Sequence, residues 1–150
     1  MSEAQSPALF QPLKLRELEL PNRIVVSPMC QYSAVDGQAQ DWHLMHLGNL
    51  AVGGAGLLII EMTNVSPQGR ITPHCLGLYN DACEQALGRV VRFCKAQTDI
   101  PMAVQLAHAG RKASTRAPWE DRAPLQADEG GWQPLAPSAI PSSERELTPR

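Results

Sequence analysis

The stretch Ala55–Met62, "AGLLIIEM", decides the fold. From Ala55 to Ile60 no polar side chain interrupts it, and an unbroken apolar run of strand length is the pattern of a parallel strand covered on both faces. On its N-terminal side, "QDWHLMHLGNLAVGG" (40–54) places Trp42, Met45 or His46, Asn49 and Leu50 near helical spacing. Asp41 serves there as an N-cap and Gly53-Gly54 as a stop. Further upstream Ile24–Val26 is a first short buried strand. Leu13, Leu15, Leu18 and Leu20, separated by charged residues and followed by the Pro21-Asn22 turn, read as a hairpin leading into it. On the C-terminal side a polar loop precedes an amphipathic helix from about Asp81 to Thr98, carrying Ala86, Leu87, Val90, Val91, Phe93 and Cys94, and "IPMAVQLAHAG" (100–110) is a third strand. Strand, helix, strand, helix, strand with short connections is the order of a parallel α/β fold with right-handed crossovers.

Composition narrows the function classes. The 150 residues suffice for one domain with its own core, spanning 1–150. A net charge of -2, a charged fraction of 19% and scattered Lys and Arg exclude an electrostatic footprint for nucleic acid or an anionic membrane. The longest apolar run falls far short of the roughly 20 residues that span a bilayer, and "MSEAQSPALF" is not expected to be a signal peptide. Cys30, Cys75, Cys83 and Cys94 form no C-x-x-C pair and no disulfide framework, so a reduced, cytoplasmic chain is expected. His43 and His46 lie three apart and His74-Cys75 are adjacent, but neither pair has the second pair that a tetrahedral zinc site requires. They read as core or surface residues, and no metal is expected.

Residues 110–150 differ from the rest. They hold six of the thirteen prolines, the Gly130-Gly131 pair and no periodicity, a long Pro-rich loop of the kind that serves as a lid or binding loop. "ELTPR" (146–150) has Thr148 and Pro149 in the N-cap and first-turn positions of a helix. A three-stranded parallel sheet also leaves both edges unpaired and one broad face uncovered. The expectation is therefore the front part of a larger fold, or a truncated relative of one.

In parallel α/β folds reactive groups collect beyond the carboxyl ends of the strands. The first strand end is Ser27-Pro28-Met29-Cys30-Gln31-Tyr32, the second Glu61-Met62-Thr63-Asn64, and the third carries Gln105, then His108, Arg111 and Lys112. Singly, Cys30 reads as a small apolar core residue, Tyr32 as a packed ring, and Arg111 and Lys112 as surface groups. Jointly they read otherwise. Val104-Gln105-Leu106 sets an amide inside a strand pattern, and a buried Gln needs up to four hydrogen-bond partners. A planar heterocycle with alternating N–H and C=O groups would supply them. A flavin is such a ligand, and a neighbouring thiol could shift its potential.

"NRIVVSPMCQYS", "GGAGLLIIEMTNVSPQGRITP" and "VQLAHAGRKAS", in this order and spacing, closely resemble the N-terminal part of old yellow enzymes, flavin-dependent ene-reductases, in the branch with cysteine rather than threonine after the first strand. The resemblance runs from about Leu9 onward. It implies the N-terminal portion, about three β/α units plus the hairpin, of a TIM (β/α)8 barrel. It implies that Ser27, Pro28, Met29 and Cys30 pass beneath the ring of FMN, that Cys30 tunes its potential, that Met62 lies beside the ring, that Gln105 bonds its pyrimidine edge, and that Tyr32 faces the substrate. Met62 stands where that branch often has alanine. The implied reaction is hydride transfer from NADPH or NADH to FMN and on to an activated alkene. The family's histidine pair (or histidine and asparagine) gripping the substrate oxygen, its proton-donating tyrosine and its phosphate-binding arginine come from later strands and do not occur in these 150 residues. Relatives are commonly homo-oligomers. The alternative is a non-catalytic remnant, or a fragment whose barrel a partner completes. A 2-hydroxy-acid oxidase barrel shares the fold and cofactor without these motifs.

Overall fold

A computed structural model describes residues 6–150. The hairpin is present: β1 (Leu13–Leu15) pairs antiparallel with β2 (Leu18–Leu20), with Leu13 opposite Leu20, around a turn in which Arg16 takes a positive φ. The first parallel strand, β3, is only Val25–Val26, and Val25 is exposed rather than buried as its apolar character suggests. It is followed by helix α1 (Asp41–Ala51), β4 (Leu57–Asn64), helix α2 (Asp81–Gln97) and β5 (Met102–Ala107). The three strands form one parallel sheet in the order β3-β4-β5. Val25 and Val26 pair with Leu57 and Leu58, and Leu58 pairs with Met102.

The sheet carries its helices on one face. Leu58 and Ile60 of β4 are buried against Leu47 and Ala51 of α1 and Leu87, Val90 and Cys94 of α2, with Met102 and Val104 of β5 packed on the same cluster. Strand alternation then puts Ile59, Ala103 and Gln105 on the opposite face, where Ile59 is half-buried and Ala103 and Gln105 are exposed. The two-sided coverage suggested by "AGLLIIEM" is thus half realised within this chain. The entry to β4 is tight: a Cβ on Gly56 would sit 2.2 Å from the Asn22 carbonyl oxygen, while Asn22 Nδ2 donates to the Gly54 carbonyl at 2.9 Å. Only glycine lets the chain pass that close to the turn before β3.

Helix α1 departs from the expectation in two ways. Its N-cap is Gln40, with Asp41 as the first helical residue, and its buried face is His43, Leu47 and Ala51 rather than Trp42, Met45 and Asn49. Trp42 and Met45 are about half exposed. The spacing of 4 that selects His43-Leu47-Ala51 hides a polar residue in the core, so apolar periodicity alone chose the wrong stripe. Helix α2 follows its sequence signals: the Asn80 side chain accepts from the Cys83 N–H at 2.9 Å, Asp81 and Glu84 sit in the first turn, and Lys95 in the last.

Residues 110–150 form 3-10 turns at Gly110–Lys112, Pro118–Glu120 and Ala127–Glu129, without a helix or strand. Backbone and side-chain bonds tie them to the loop after β4: Thr115 N donates to the Ile71 carbonyl at 2.9 Å, Trp132 Nε1 to the Gln68 carbonyl at 3.0 Å, and Arg70 stacks on the Trp132 ring. Arg150 N donates to the Pro134 carbonyl at 3.0 Å, and Ala136 N donates to the Arg150 carbonyl at 3.3 Å. Among the described residues no helix is long and apolar enough to cross a membrane.

Candidate functional site

The three strand ends converge. Register places Met62 beside Gln105, because β4 carries an irregularity between Ile60 and Met62 that inserts Glu61. Such a bulge adds one residue to one strand and re-aims the side chains after it. Both Ile60 and Glu61 are consequently buried, and Met62 emerges beside Gln105. Gln105 is not the buried amide that its place between Val104 and Leu106 suggested. It is exposed, since the face it occupies is the one without helices.

Cys30 closes the group. Its sulfur is half-buried, and burial, foremost, pushes the thiol up from 9.0 to about 11, with the charges of Cys75 and Glu61 adding to the effect. The Met62 backbone N–H, facing the sulfur, pulls the other way. Cys30 is therefore a neutral S–H near neutral pH, a weak donor rather than a nucleophile. Ser27 and Met29 are exposed, and Pro28 is half-buried. Tyr32 adopts φ 50°, an uncommon left-handed conformation for an aromatic residue. Its ring meets Trp119 edge-on, with centroids 5.6 Å apart and planes at 82°. Burial raises its hydroxyl, followed by the charges of Cys30 and Cys75, while Arg122 opposes them.

Sequence reasoning overlooked what holds this segment. Gln31, between Cys30 and Tyr32, donates its backbone N–H to Glu61 Oε2 at 2.9 Å and its side-chain amide to the Met29 carbonyl at 2.8 Å. Its side-chain oxygen accepts from Trp42 Nε1 at 3.2 Å. The other Glu61 oxygen lies 3.3 Å from His43 Nε2, a contact short of hydrogen-bond alignment. The available signal was Glu61 itself, a carboxylate directly after the apolar run Leu57–Ile60. Trp119 carried none, lying in a stretch without periodicity. Of the polar residues after β5, His108 accepts from Gly110 N at 3.0 Å and packs on Gly69, and Arg111 reaches Ser138. They organise the loop and do not join Cys30, Met62 and Gln105. Among the described residues no group of three His, Cys, Asp or Glu is arranged to hold a metal ion.

The donor set suits a planar heterocycle: an exposed carboxamide offers one donor and one acceptor edge, beside a thioether, a neutral thiol and the apolar surface of Ile59 and Ala103. These features define a class, a parallel β/α unit with its polar groups beyond the carboxyl ends of the strands.

Comparison with known proteins places the chain within that class. The sequence matches the profile of the NADH:flavin oxidoreductase / NADH oxidase family over residues 8–148, and the chain belongs to that family of FMN-dependent oxidoreductases. It is similar to an NADH:flavin oxidoreductase of Gibberella zeae, 45% identical over 138 residues, a match covering 90% of this chain and 33% of the relative. It is also similar to an NADPH dehydrogenase of Bacillus cytotoxicus, 41% identical over 143 residues, covering 94% of this chain and 37% of the relative. Among solved structures, morphinone reductase superposes with a TM-score of 0.78 at 30% identity, over 96% of this chain and 39% of that one. The old yellow enzyme from Trypanosoma cruzi does so with 0.72, also at 30%, over 94% and 37%. The resemblance to old yellow enzymes is thus borne out, and the fold is the N-terminal portion of their TIM (β/α)8 barrel. The chain spans between a third and two fifths of the length of these relatives.

Proposed function

We propose that the chain supplies the flavin floor and one substrate wall of an FMN-dependent NAD(P)H oxidoreductase that reduces activated alkenes. The observation that carries this reading is that Met62 lies beside Gln105 at neighbouring strand ends, with the Cys30 sulfur facing the Met62 backbone N–H. FMN, when bound, supplies hydride transfer between a nicotinamide and the alkene. Each residue has a part. The Gln105 carboxamide holds the polar edge of the ring by hydrogen bonds. Met62 gives it a polarizable apolar neighbour. The neutral Cys30 thiol donates a weak hydrogen bond and so adjusts the potential, and Ser27 to Met29 carry the backbone beneath the ring. Tyr32, buttressed by Trp119, presents its hydroxyl and ring edge to a small-molecule substrate. The whole enzyme is read as a cytoplasmic homo-oligomer with NADPH or NADH as donor.

A second reading, a flavin half-site completed by further polypeptide, is favoured by the open face and by β5, where Leu106 is 58% exposed. Anaerobic mixing of the FMN-loaded chain with NADPH or NADH, then with a cyclic enone, tests the two. Flavin bleaching followed by return of colour supports the ene-reductase reading for the chain itself. FMN binding without either change supports the half-site. Failure to take up FMN counts against both.

A further inference from the structure

We propose that Glu61 and His43 form a buried positioning pair that fixes the Cys30–Tyr32 segment against the flavin, an inference that rests on the flavin-site reading above. Both side chains are almost fully enclosed, at 3% and 1% exposure. A buried ionisable pair is a weak source of stability, since apolar side chains of like volume often serve as well or better. What this pair provides is geometry. The Gln40 backbone N–H donates to His43 Nδ1 at 3.0 Å, which puts the ring proton of the neutral imidazole on Nε2, toward Glu61. The second carboxylate oxygen takes the Gln31 N–H. One carboxylate therefore joins the start of α1, the bulge of β4 and the segment after β3.

The bulge is what lets it do so. By inserting Glu61 between Ile60 and Met62, it directs the carboxylate beneath the neighbouring loop and sets Met62 beside Gln105 in the same step. Gln31 is held at its backbone N–H and at both ends of its side chain. Its two neighbours, Cys30 and Tyr32, are the ones that face the site, and Tyr32 keeps a positive φ that an unrestrained aromatic residue would leave.

Glu61→Gln tests the pair. An amide replaces one carboxylate oxygen by an N–H group, so a donor is set either against Gln31 N–H, now accepted at 2.9 Å, or against His43 Nε2–H, now 3.3 Å from the other oxygen. His43→Gln is the second variant and keeps the Glu61 charge, which separates position from electrostatics. Hydrogen exchange resolved by NMR should show the Gln31 amide exchanging at least tenfold faster in both variants, with the β4 amides unchanged. Cys30 should become more reactive to iodoacetamide while buried Cys75, Cys83 and Cys94 stay protected. The FMN-loaded variants should show a displaced midpoint potential, which a merely structural role would leave in place.

Gln31 exchange within twofold of the parent chain in both variants overturns the proposal, as does simultaneous exposure of all four cysteines, which would make the pair a support of the whole fold. A loosened segment with an unmoved potential overturns its link to the flavin. Absence of FMN uptake by the parent chain overturns the flavin reading alone, because the amide and thiol measurements need no cofactor.

Discussion

Cys30 offers a prediction whose magnitude follows from its surroundings. Burial, with the charges of Cys75 and Glu61 nearby, pushes its thiol from 9.0 to about 11, which cuts the thiolate fraction below pH 9 about a hundredfold. A thiolate of higher pKa is intrinsically more nucleophilic, with a Brønsted slope of about 0.4 to 0.5, which returns a factor of roughly 8. The net expectation is alkylation at least tenfold slower than that of a free cysteine peptide at pH 8, before any steric shielding of the half-buried sulfur. The assay is iodoacetamide labelling from pH 7 to 11.5 with peptide-level mass spectrometry, which separates Cys30 from Cys75, Cys83 and Cys94. The rate at Cys30 should still be climbing past pH 10. The sign for stability is also set: a thiol whose folded pKa lies above its unfolded one contributes fully below 9.0, and that contribution is lost as pH rises toward about 11. An inflection near 9 with the rate of the free peptide would refute the environment described for Cys30, and with it the neutral S–H donor beside the flavin.

If the Gln105 carboxamide makes one donor and one acceptor bond to the ring, as proposed, Gln105→Leu would remove about 1 kcal/mol for each, and FMN affinity should fall roughly 30-fold. Because Gln105 is exposed, the melting temperature should hardly move, and an unchanged Kd from flavin fluorescence would rule the contact out. Leu58→Ala, at a fully enclosed core position, should cost about 2 to 5 kcal/mol in urea unfolding. Leu106→Ala, near the end of β5 where the side chain is 58% exposed, should stay within about 0.5 kcal/mol, and equal costs would contradict the exposure of that strand end. Asn80→Ala removes the cap that accepts from Cys83 N, and should destabilise the chain by about 1 kcal/mol with a loss of helical signal confined to α2.

The alternation of strand and helix was legible because each element carried its own signal: an apolar run at Leu57–Ile60, the apolar period of α2, and turn residues between. Parallel pairing followed from order alone. What was not legible depended on distant contacts. The stripe of α1 that faces the core includes His43, which lies against Glu61 of β4, a contact that no local pattern encodes. The bulge at Glu61 leaves no mark in an apolar run, yet it decides which of Glu61 and Met62 is buried. Gln105 looked enclosed because its neighbours in sequence are apolar, whereas exposure is set by the face it occupies. Trp119 reached Tyr32 only through a turn fixed by the carboxylate of Glu120 on Ala117 N.

The central claim is that three strand ends of this chain form a flavin floor, and a fluorescence-quenching titration of FMN with the purified 150-residue chain, read beside its circular dichroism, tests it most directly. The account predicts saturable quenching with a folded α/β spectrum, weakened by Gln105→Leu. A folded spectrum with no quenching would contradict it, because Cys30, Met62 and Gln105 would then be in place and still not bind the ring.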